Sequence, residues 1–199
     1  MATKLQATVD DVLRLSAAGE RYELIDGELV PMSPIGPEHA DIEGFIGHVF
    51  LNHVLPGRLG KVWVGEPLFR LDPAGRLARA PDVAFVRRDR LVGIDLKRPF
   101  LGAPDLAVEI VSPGESAKNV RRKAETWLAH GTLAVLVVYP DSAGVEVWRA
   151  TGAVSLSLNE VVELDPALPG FRCSVRDLFP PLLEEPGFVV GDEPNALAG

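Results

Sequence analysis

The sequence predicts a mixed α/β fold in which a sheet core is flanked by helices. Two runs, LAVEIV at 106–111 and LAVLVVY at 133–139, are apolar on both faces of a strand. Strands of this kind lie inside a sheet that is covered on both sides. A helical pattern separates the two runs, and such alternation is typical of sheets with helices packed on their faces. The expected order is hairpin, helix, three strands, helix and further strands.

The N-terminal part of the chain contains two helical patterns with a hairpin between them. Residues 7–18 have the apolar spacing of a short amphipathic helix. The segment RYELIDGELVPM at 21–32 predicts a β-hairpin, because Asp26-Gly27 is a favoured two-residue turn. A helix is then expected over 38–53. Its apolar stripe consists of Ile42, Phe45, Ile46 and Val49.

Three strands are expected in the middle of the chain. The first two are KVWVGEPLFRL at 61–71 and ARAPDVAFV at 78–86, which a turn at 72–75 joins. A charged connection over 87–103 then leads to the apolar run at 106–111, which is the third strand.

The C-terminal half begins with a helix over 117–130, which Ser116 caps and Gly131 ends. After the strand at 133–139, VEVWRA at 145–150 is expected to pair with it as a hairpin, and 153–180 to be irregular or short-stranded. The absence of repeats and linkers predicts a single domain over 1–182. Residues 183–199 are rich in turn formers and are expected to be a flexible C-terminal tail.

Composition excludes several classes of protein. A single cysteine, Cys173, rules out an internal disulfide framework and a cysteine-based zinc site. No stretch approaches the roughly 20 apolar residues that span a bilayer, so we expect a cytoplasmic protein without a membrane partner. The net charge of −8 disfavours tight non-specific binding of long nucleic acid. Basic residues over 87–98 could still guide a nucleic-acid backbone locally.

Glu109 is the most informative residue, because it lies in the middle of the two-sided apolar run at 106–111. An ionised carboxylate inside such a sheet costs several kcal/mol unless a metal ion, a cation or a set of donors meets it. Adjacent strands lie about 4.8 Å apart, so Asp82, which begins the VAFV strand, could reach Glu109 across the sheet. The alternative is an ion pair between Glu109 and a buried arginine such as Arg79.

Two other Pro-Asp dipeptides are weaker candidates for a shared site. Asp105 is four residues from Glu109 on one strand, which separates their Cα atoms by about 13 Å. Asp141 falls in a predicted hairpin turn, where aspartate is expected for turn reasons alone.

The helix over 117–130 offers a cation to Glu109. Lys123 lies at the edge of the apolar stripe of this helix, and that stripe must pack on the sheet. Lys123 can therefore reach the C-terminal end of the Glu109 strand, although a lysine in this place could equally extend along the surface to solvent.

Together these residues resemble the PD-(D/E)XK nuclease superfamily. The phrases YELIDGELVPMSP, PDVAFV and PDLAVEIVSP, followed by a helix with a lysine, are similar more narrowly to the Uma-type restriction endonucleases. The resemblance covers about residues 8–150. It implies a restriction-endonuclease-like sheet core, a Mg²⁺ or Mn²⁺ ion as cofactor, and hydrolysis of phosphodiester bonds in nucleic acid, DNA in particular.

Carried over to this chain, the resemblance makes Asp82 and Glu109 metal ligands, with the Ile110 carbonyl as a further ligand. The lysine of the superfamily stands two residues after the glutamate, where this chain has Val111. The resemblance therefore assigns the catalytic ammonium to Lys123 of the following helix.

An earlier acid often completes such sites, and Glu28 is the first candidate here, ahead of Glu43 and Glu66. His39 is interpreted either as a hydrogen-bonded structural residue or as a substrate contact. Asn119 occupies a position where relatives often carry an acid.

The sequence therefore predicts a metal-dependent endonuclease, and a homodimer fits because cutting two strands needs two sites. The alternative is a catalytically silent binding or regulatory protein that keeps the nuclease core. Serine and zinc hydrolases are disfavoured, because neither G-x-S-x-G nor H-E-x-x-H occurs.

Overall fold

The computed structural model describes residues 6–181. The α-helices of this part are α1 (Val9–Ala17), α2 (Pro37–Gly57) and α3 (Ala117–Ala129). Its strands are β1 (Tyr22–Ile25), β2 (Glu28–Pro31), β3 (Gly60–Val64), β4 (Phe69–Arg70), β5 (Ala78–Arg79), β6 (Val83–Arg87), β7 (Phe100–Leu101), β8 (Leu106–Ile110), β9 (Ala134–Tyr139), β10 (Gly144–Arg149), β11 (Gly152–Leu156), β12 (Val161–Glu163) and β13 (Arg172–Ser174).

A six-stranded sheet with the order β11-β10-β9-β8-β6-β3 forms the centre of the molecule. Strands β8 and β9 are parallel, and α3 connects them. The other neighbours in this sheet are antiparallel. Because α3 follows β8 directly, its first turns lie at the C-terminal end of that strand, where ligands commonly bind in α/β proteins.

Both faces of this sheet are covered, as the two-sided apolar runs predict. On one face, Ile46 and Phe50 of α2 pack against alternate residues of β6, β8 and β9. On the other face, Ala124 and Trp127 of α3 pack against the intervening residues of the same strands. Burial of these side chains drives the packing of both helices. The mixed α/β fold with flanking helices is therefore confirmed.

A second, five-stranded sheet has the order β2-β1-β5-β4-β7. Its β1–β2 hairpin turns at Asp26-Gly27, whose φ angles of 52° and 78° match the predicted two-residue turn. The hairpin is confirmed, and Leu24 anchors it to α1 in a small apolar cluster.

Two predicted strands are each split in the structure, which is a correction to the sequence interpretation. The segment 61–71 breaks at Gly65 and Glu66, whose φ angles are +88° and +58°, and continues in the second sheet as β4. The segment 78–86 breaks at Pro81, which has no N–H for a ladder, so β5 and β6 also belong to different sheets. Residues with left-handed φ angles, such as Gly65 and Glu66, cannot continue a strand. This break and the one at Pro81 together separate the two sheets.

Two smaller differences concern the length of α2 and a short strand. Helix α2 extends over Pro37–Gly57 rather than 38–53, because Val54 adds a further buried contact to the core. The charged connection contains β7, which pairs with β4. The short β12–β13 pair agrees with the expected irregular or short-stranded finish. The predicted tail at 183–199 lies outside the described residues.

Among residues 6–181, no helix combines the length and the apolar character that crossing a membrane requires.

Candidate active site

A cleft opens at the C-terminal end of β8, between the loop that leads into α3 and the β1–β2 hairpin. Its volume is about 430 Å³. Apolar residues of the hairpin and the segment after it, such as Ile25, Val30 and Met32, line one side. Its charged lining consists of Glu23, Glu66, Arg79, Asp82, Glu109, Glu115, Arg122 and Lys123. The cleft thus brings together acids and bases from four separate parts of the chain.

Glu109 lies at the bottom of this cleft and is only 6% exposed. Two residues of α3 meet its carboxylate. The Trp127 indole N–H donates to Oε1 over 2.7 Å, and the Lys123 ammonium lies 3.2 Å from Oε2. Burial raises the pKa of Glu109 to about 7, Lys123 opposes this shift, and the charge of Asp82 adds to it. A strongly raised pKa at a buried acid in a cleft is a common feature of functional sites.

Lys123 is held between two carboxylates. Its Nζ also lies 3.1 Å from Oε1 of Glu115, in the loop before α3. Burial alone would lower the pKa of Lys123, but the charges of Glu109 and Glu115 outweigh burial and raise it. The side chain therefore stays a protonated ammonium beside Glu109. The place of Lys123 at the edge of the apolar stripe of α3 correctly predicts its contact with Glu109.

Asp82 lies one residue before β6 and is 8% exposed. Its Oδ2 accepts a 2.6 Å hydrogen bond from the Ile110 N–H, and its Oδ1 lies 3.1 Å from Nε2 of His39. The hydrogen bond to Asp82 raises the pKa of His39, against a lowering by burial. Asp82 is thus fixed against β8, beside Glu109, and His39 is its hydrogen-bonding partner at the start of α2.

The alternative partner of Glu109, Arg79, does not contact it. Arg79 is buried on β5, and its ion pair is with Glu23, with Nη2 and Oε2 3.7 Å apart. The cation at Glu109 is Lys123.

Asp105 lies at the other end of β8. Its carboxylate accepts from the Arg87 N–H over 2.8 Å and pairs with Arg90 over 3.0 Å. Asp105 is thus separate from the cleft, as its spacing predicts.

The early acids occupy four different environments. Glu28, the first candidate, is exposed on β2 and does not belong to the described lining of the cleft. Glu43 is buried on α2, where Oε1 accepts from the Gly65 N–H over 2.6 Å. Burial raises the pKa of Glu43. Glu66 lines the cleft and is paired with Arg21. Glu23, which the sequence did not single out, lines the cleft, and its charge acts on Glu109.

Comparison with known proteins adds an independent observation to this geometry. The model of the Uma2 family, described as "Putative restriction endonuclease", matches residues 9–176. The chain belongs to this family. The match covers most of the chain and includes every residue of the cleft that is discussed above. No curated protein matches the sequence.

A solved structure supports the fold. The crystal structure of a putative nuclease belonging to DUF820 from Anabaena variabilis ATCC 29413 superposes with a TM-score of 0.72 at 24% sequence identity. The superposition covers 86% of this chain and 97% of that chain. At this identity the likeness shows the fold, which is the one that the Uma2 resemblance implies.

Asp82 and Glu109 have the donor chemistry that a divalent metal ion needs. Both offer carboxylate oxygens, and Mg²⁺ is commonly held by one or two carboxylates with water completing the shell. The Ile110 N–H points to Asp82. Because N–H and C=O of one strand residue lie on the same side, its carbonyl oxygen is expected on that side too. Among residues 6–181 no group of three His, Cys, Asp or Glu side chains could hold a metal ion. The two carboxylates thus have the right chemistry for such an ion, and their oxygens are already engaged by His39, the Ile110 N–H, Trp127 and Lys123.

Two features of this Uma2-family site were missed from the sequence. Trp127 is fully buried on the apolar stripe of α3, and only its indole N–H, a polar group on an apolar side chain, could have marked it as a partner of Glu109. Glu23 lies on β1 beside the core residue Leu24, so strand alternation could have placed it on the opposite face. Nothing in the sequence indicated that this face borders the cleft.

Proposed function

We propose that the protein is a Mg²⁺- or Mn²⁺-dependent endonuclease that hydrolyses phosphodiester bonds, with DNA as the substrate. The observation that carries the proposal is the convergence of Asp82, Glu109 and Lys123 in one cleft, although they come from three separate elements. Membership of the Uma2 family supports the same activity.

In this proposal Asp82, Glu109 and the Ile110 carbonyl hold the metal ion. Such an ion would supply Lewis-acid chemistry at the scissile phosphate and at the attacking water. The chain itself contributes orientation and charge. His39 and the Ile110 N–H fix Asp82, and Trp127 fixes Glu109. Lys123 places an ammonium where negative charge develops on the phosphate, which stabilises the transition state.

We assign the early acid to Glu23 rather than to Glu28. Glu23 lines the cleft, and its charge contributes to the raised pKa of Glu109, whereas Glu28 is exposed on β2. Its Oε1 accepts from the Ala80 N–H over 3.2 Å, which places it beside the segment that leads to Asp82. Its role is to add negative charge that favours a cation in the cleft.

The second candidate function is a catalytically silent binding protein. It is favoured by the fact that protein groups already engage the oxygens of both carboxylates, with His39 and Ile110 at Asp82 and with Trp127 and Lys123 at Glu109. Val111 at the usual lysine position and the net charge of −8 point the same way.

The deciding experiment is titration of Mn²⁺ into the wild type, Glu109→Gln and Glu115→Gln by calorimetry, with circular dichroism to confirm folding. Glu115→Gln is the matched control, because it removes a second carboxylate that contacts Lys123 but is not assigned as a ligand. The proposal expects binding that Glu109→Gln abolishes and Glu115→Gln weakens only slightly. Equal loss in both variants would mean attraction by general negative charge.

Cleavage assays on supercoiled, linear and single-stranded DNA and on RNA then define the activity. Metal-dependent cleavage that Asp82→Asn and Glu109→Gln abolish supports the endonuclease. Metal binding without cleavage of any substrate would favour the silent binding protein.

A further inference from the structure

The β1–β2 hairpin presents an accessible apolar face to the cleft. Its two strands pair with Leu24 opposite Leu29 and with Glu23 opposite Val30. Leu24 and Leu29 pack with α1 in an apolar cluster. Because successive side chains of a strand point to opposite faces, Ile25 and Val30 lie on the other face, and both line the cleft. The hairpin thus has one apolar face in the core and another in the cleft.

This apolar surface continues into the segment after the hairpin, where Met32 and Ile35 also line the cleft. Val30 is 38% exposed and Ile35 is 36% exposed, and Ile25 and Met32 are partly exposed. We call Ile25, Val30, Met32 and Ile35 the apolar wall. Exposed apolar side chains that line a cleft indicate a ligand with an apolar part.

The α3 side of the cleft has the opposite character. Asn119, Arg122 and Lys123 of this helix line it. The Lys123 ammonium lies against Glu109 and Glu115, and the preceding residue, Arg122, is exposed. These cations attract an anionic part of a ligand. A ligand that suits both sides of the cleft therefore joins an apolar group to an anion.

A nucleotide is such a ligand, because it joins a flat base to a charged phosphate. In a duplex the bases are stacked on one another, and only their edges are open to a protein in the grooves. An unpaired base instead offers its face, which apolar and aromatic side chains contact. The cleft volume of about 430 Å³ lies within the range of small-molecule pockets, which suits a single nucleotide better than a duplex.

We propose that the cleft binds an unpaired nucleotide, with the base against the apolar wall and the phosphate toward Arg122 and Lys123. The substrate is then single-stranded or locally unpaired DNA rather than an intact duplex. This inference rests on the proposed function, because it names the substrate class of the same site. The base, and not only the phosphate, then contributes to binding.

The test uses the methyl signal of Met32 in the NMR spectrum of protein labelled with ¹³C-methyl methionine, with Ca²⁺ present. The chain has two methionines, so the Met32 signal is identified by its loss in Met32→Leu. The probe is a thymidine trinucleotide, and an abasic trinucleotide with the same phosphates is the control. We expect the thymidine probe to move the Met32 signal upfield, because the methyl group lies over a base. No shift, or an equal shift with the abasic probe, overturns the inference.

Val30→Ser tests the apolar wall, and Val154→Ser is its matched control. Both valines are exposed on edge strands, but Val154 lies on β11 and does not belong to the described lining of the cleft. By fluorescence anisotropy, Val30→Ser should raise the Kd for a labelled single-stranded oligonucleotide roughly fourfold, the effect of about one buried CH₂. Val154→Ser should leave this Kd unchanged. An equal change in both folded variants, or no change in either, would contradict the role of the wall.

Cleavage of paired and unpaired substrates separates this inference from the proposed function. The wild type should cleave a single strand faster than a duplex of the same sequence. Equal or faster cleavage of the intact duplex would overturn the inference and leave the nuclease standing. A thymidine-dependent shift of the Met32 signal in a protein that binds no metal would instead support the base site and reject the metal-dependent nuclease.

Discussion

Glu109 is held by two donors that α3 supplies from positions one helical turn apart. Lys123 and Trp127 are four residues apart, so they project from the same side of the helix. One brings a full positive charge and the other a neutral N–H, each to a different oxygen of the carboxylate. The pair explains how an acid can lie among core residues and still have a pKa of only about 7 despite its burial. The apolar body of Trp127 packs the core while its N–H serves the site.

Trp127→Phe should therefore destabilise the protein and disturb Glu109 at once. Phenylalanine keeps most of the apolar contact but lacks the donor, and a hydrogen bond to a charged group contributes about 2 kcal/mol. Loss of this bond also removes an influence that lowers the Glu109 pKa, so that pKa should rise further. Urea unfolding measures the first effect, and the carboxyl signal of Glu109 in a pH titration measures the second.

Trp148→Phe is the matched control for this prediction. Its indole N–H also donates to a carboxylate, that of Glu146, over 2.9 Å, but the site is only partly buried. Solvent can replace the lost bond there, so the loss of stability should be smaller. Equal losses in both variants would show that the Trp127 bond contributes nothing beyond packing.

A cleft residue could be predicted from the sequence where its charged side chain interrupts an apolar pattern. Glu109 in an apolar strand and Lys123 at the edge of an apolar stripe are residues of this kind, and both lie where the pattern predicts. Glu23 and Arg79 were less visible, because they stand on short strands of the second sheet. Arg79 belongs to the second sheet because the chain breaks at Pro81, and Glu23 joins it there because β1 pairs with β5.

At the scale of elements, β8 has a buried acid at each end, and the two acids have different surroundings. Glu109 faces a cleft, whereas Asp105, just before the strand, is enclosed by Arg87 and Arg90 and by a backbone N–H. Different cations thus face the two acids: Lys123 faces Glu109, and Arg87 and Arg90 face Asp105. In the sequence both acids belong to the segment PDLAVEIV, where Asp105 follows a proline and Glu109 lies among apolar residues four positions later.

Asp105→Asn should lower stability and spare the cleft. The asparagine keeps the shape but loses the charge that pairs with Arg87 and Arg90. Both arginines are partly exposed, so the cost should be about 2 kcal/mol, below that of a fully buried pair. Mn²⁺ affinity should not change, because the two acids are about 13 Å apart along the strand. A parallel loss of Mn²⁺ binding in a folded variant would contradict the separation of the two ends.

The contact between β3 and β6 depends on a glycine. A Cβ atom at Gly60 would lie 2.1 Å from the Val86 carbonyl oxygen and 3.0 Å from the Arg87 Cα, so an alanine would push the two strands apart. Overpacking against backbone costs about 2 kcal/mol. Gly60→Ala should destabilise the protein by about this amount in urea unfolding.

Gly44→Ala provides the opposite control. Gly44 lies in α2, and a Cβ atom there would meet nothing within 4 Å. Alanine is favoured over glycine inside a helix by about 1 kcal/mol, so this variant should be more stable than the wild type. Destabilisation by both substitutions would mean that the packing of α2 and β3 differs from that described.

Across the whole molecule, acids outnumber basic residues, and several of the basic residues are paired with acids. The net charge of the chain is −8. Of the basic segment over 87–98, Arg87 and Arg90 are paired with Asp105, and Arg98 is near Asp95. The cleft has five carboxylates against the three cations Arg79, Arg122 and Lys123. Under the proposed function, attraction of a phosphate backbone would then depend on a divalent ion in the cleft rather than on a broad positive surface.

Binding of DNA should accordingly depend strongly on divalent ions and only weakly on monovalent salt. Each phosphate that is neutralised contributes a slope of about −0.9 to the plot of log K against log salt for duplex DNA. With Lys123 and Arg122 of the cleft lining as the main contacts, the slope should be no steeper than about −2 between roughly 50 and 200 mM KCl. Fluorescence anisotropy of a labelled oligonucleotide in the presence of Ca²⁺ measures it, and chelation of Ca²⁺ should abolish binding. A slope steeper than about −4 would require many phosphate contacts outside the cleft and would contradict this electrostatic picture.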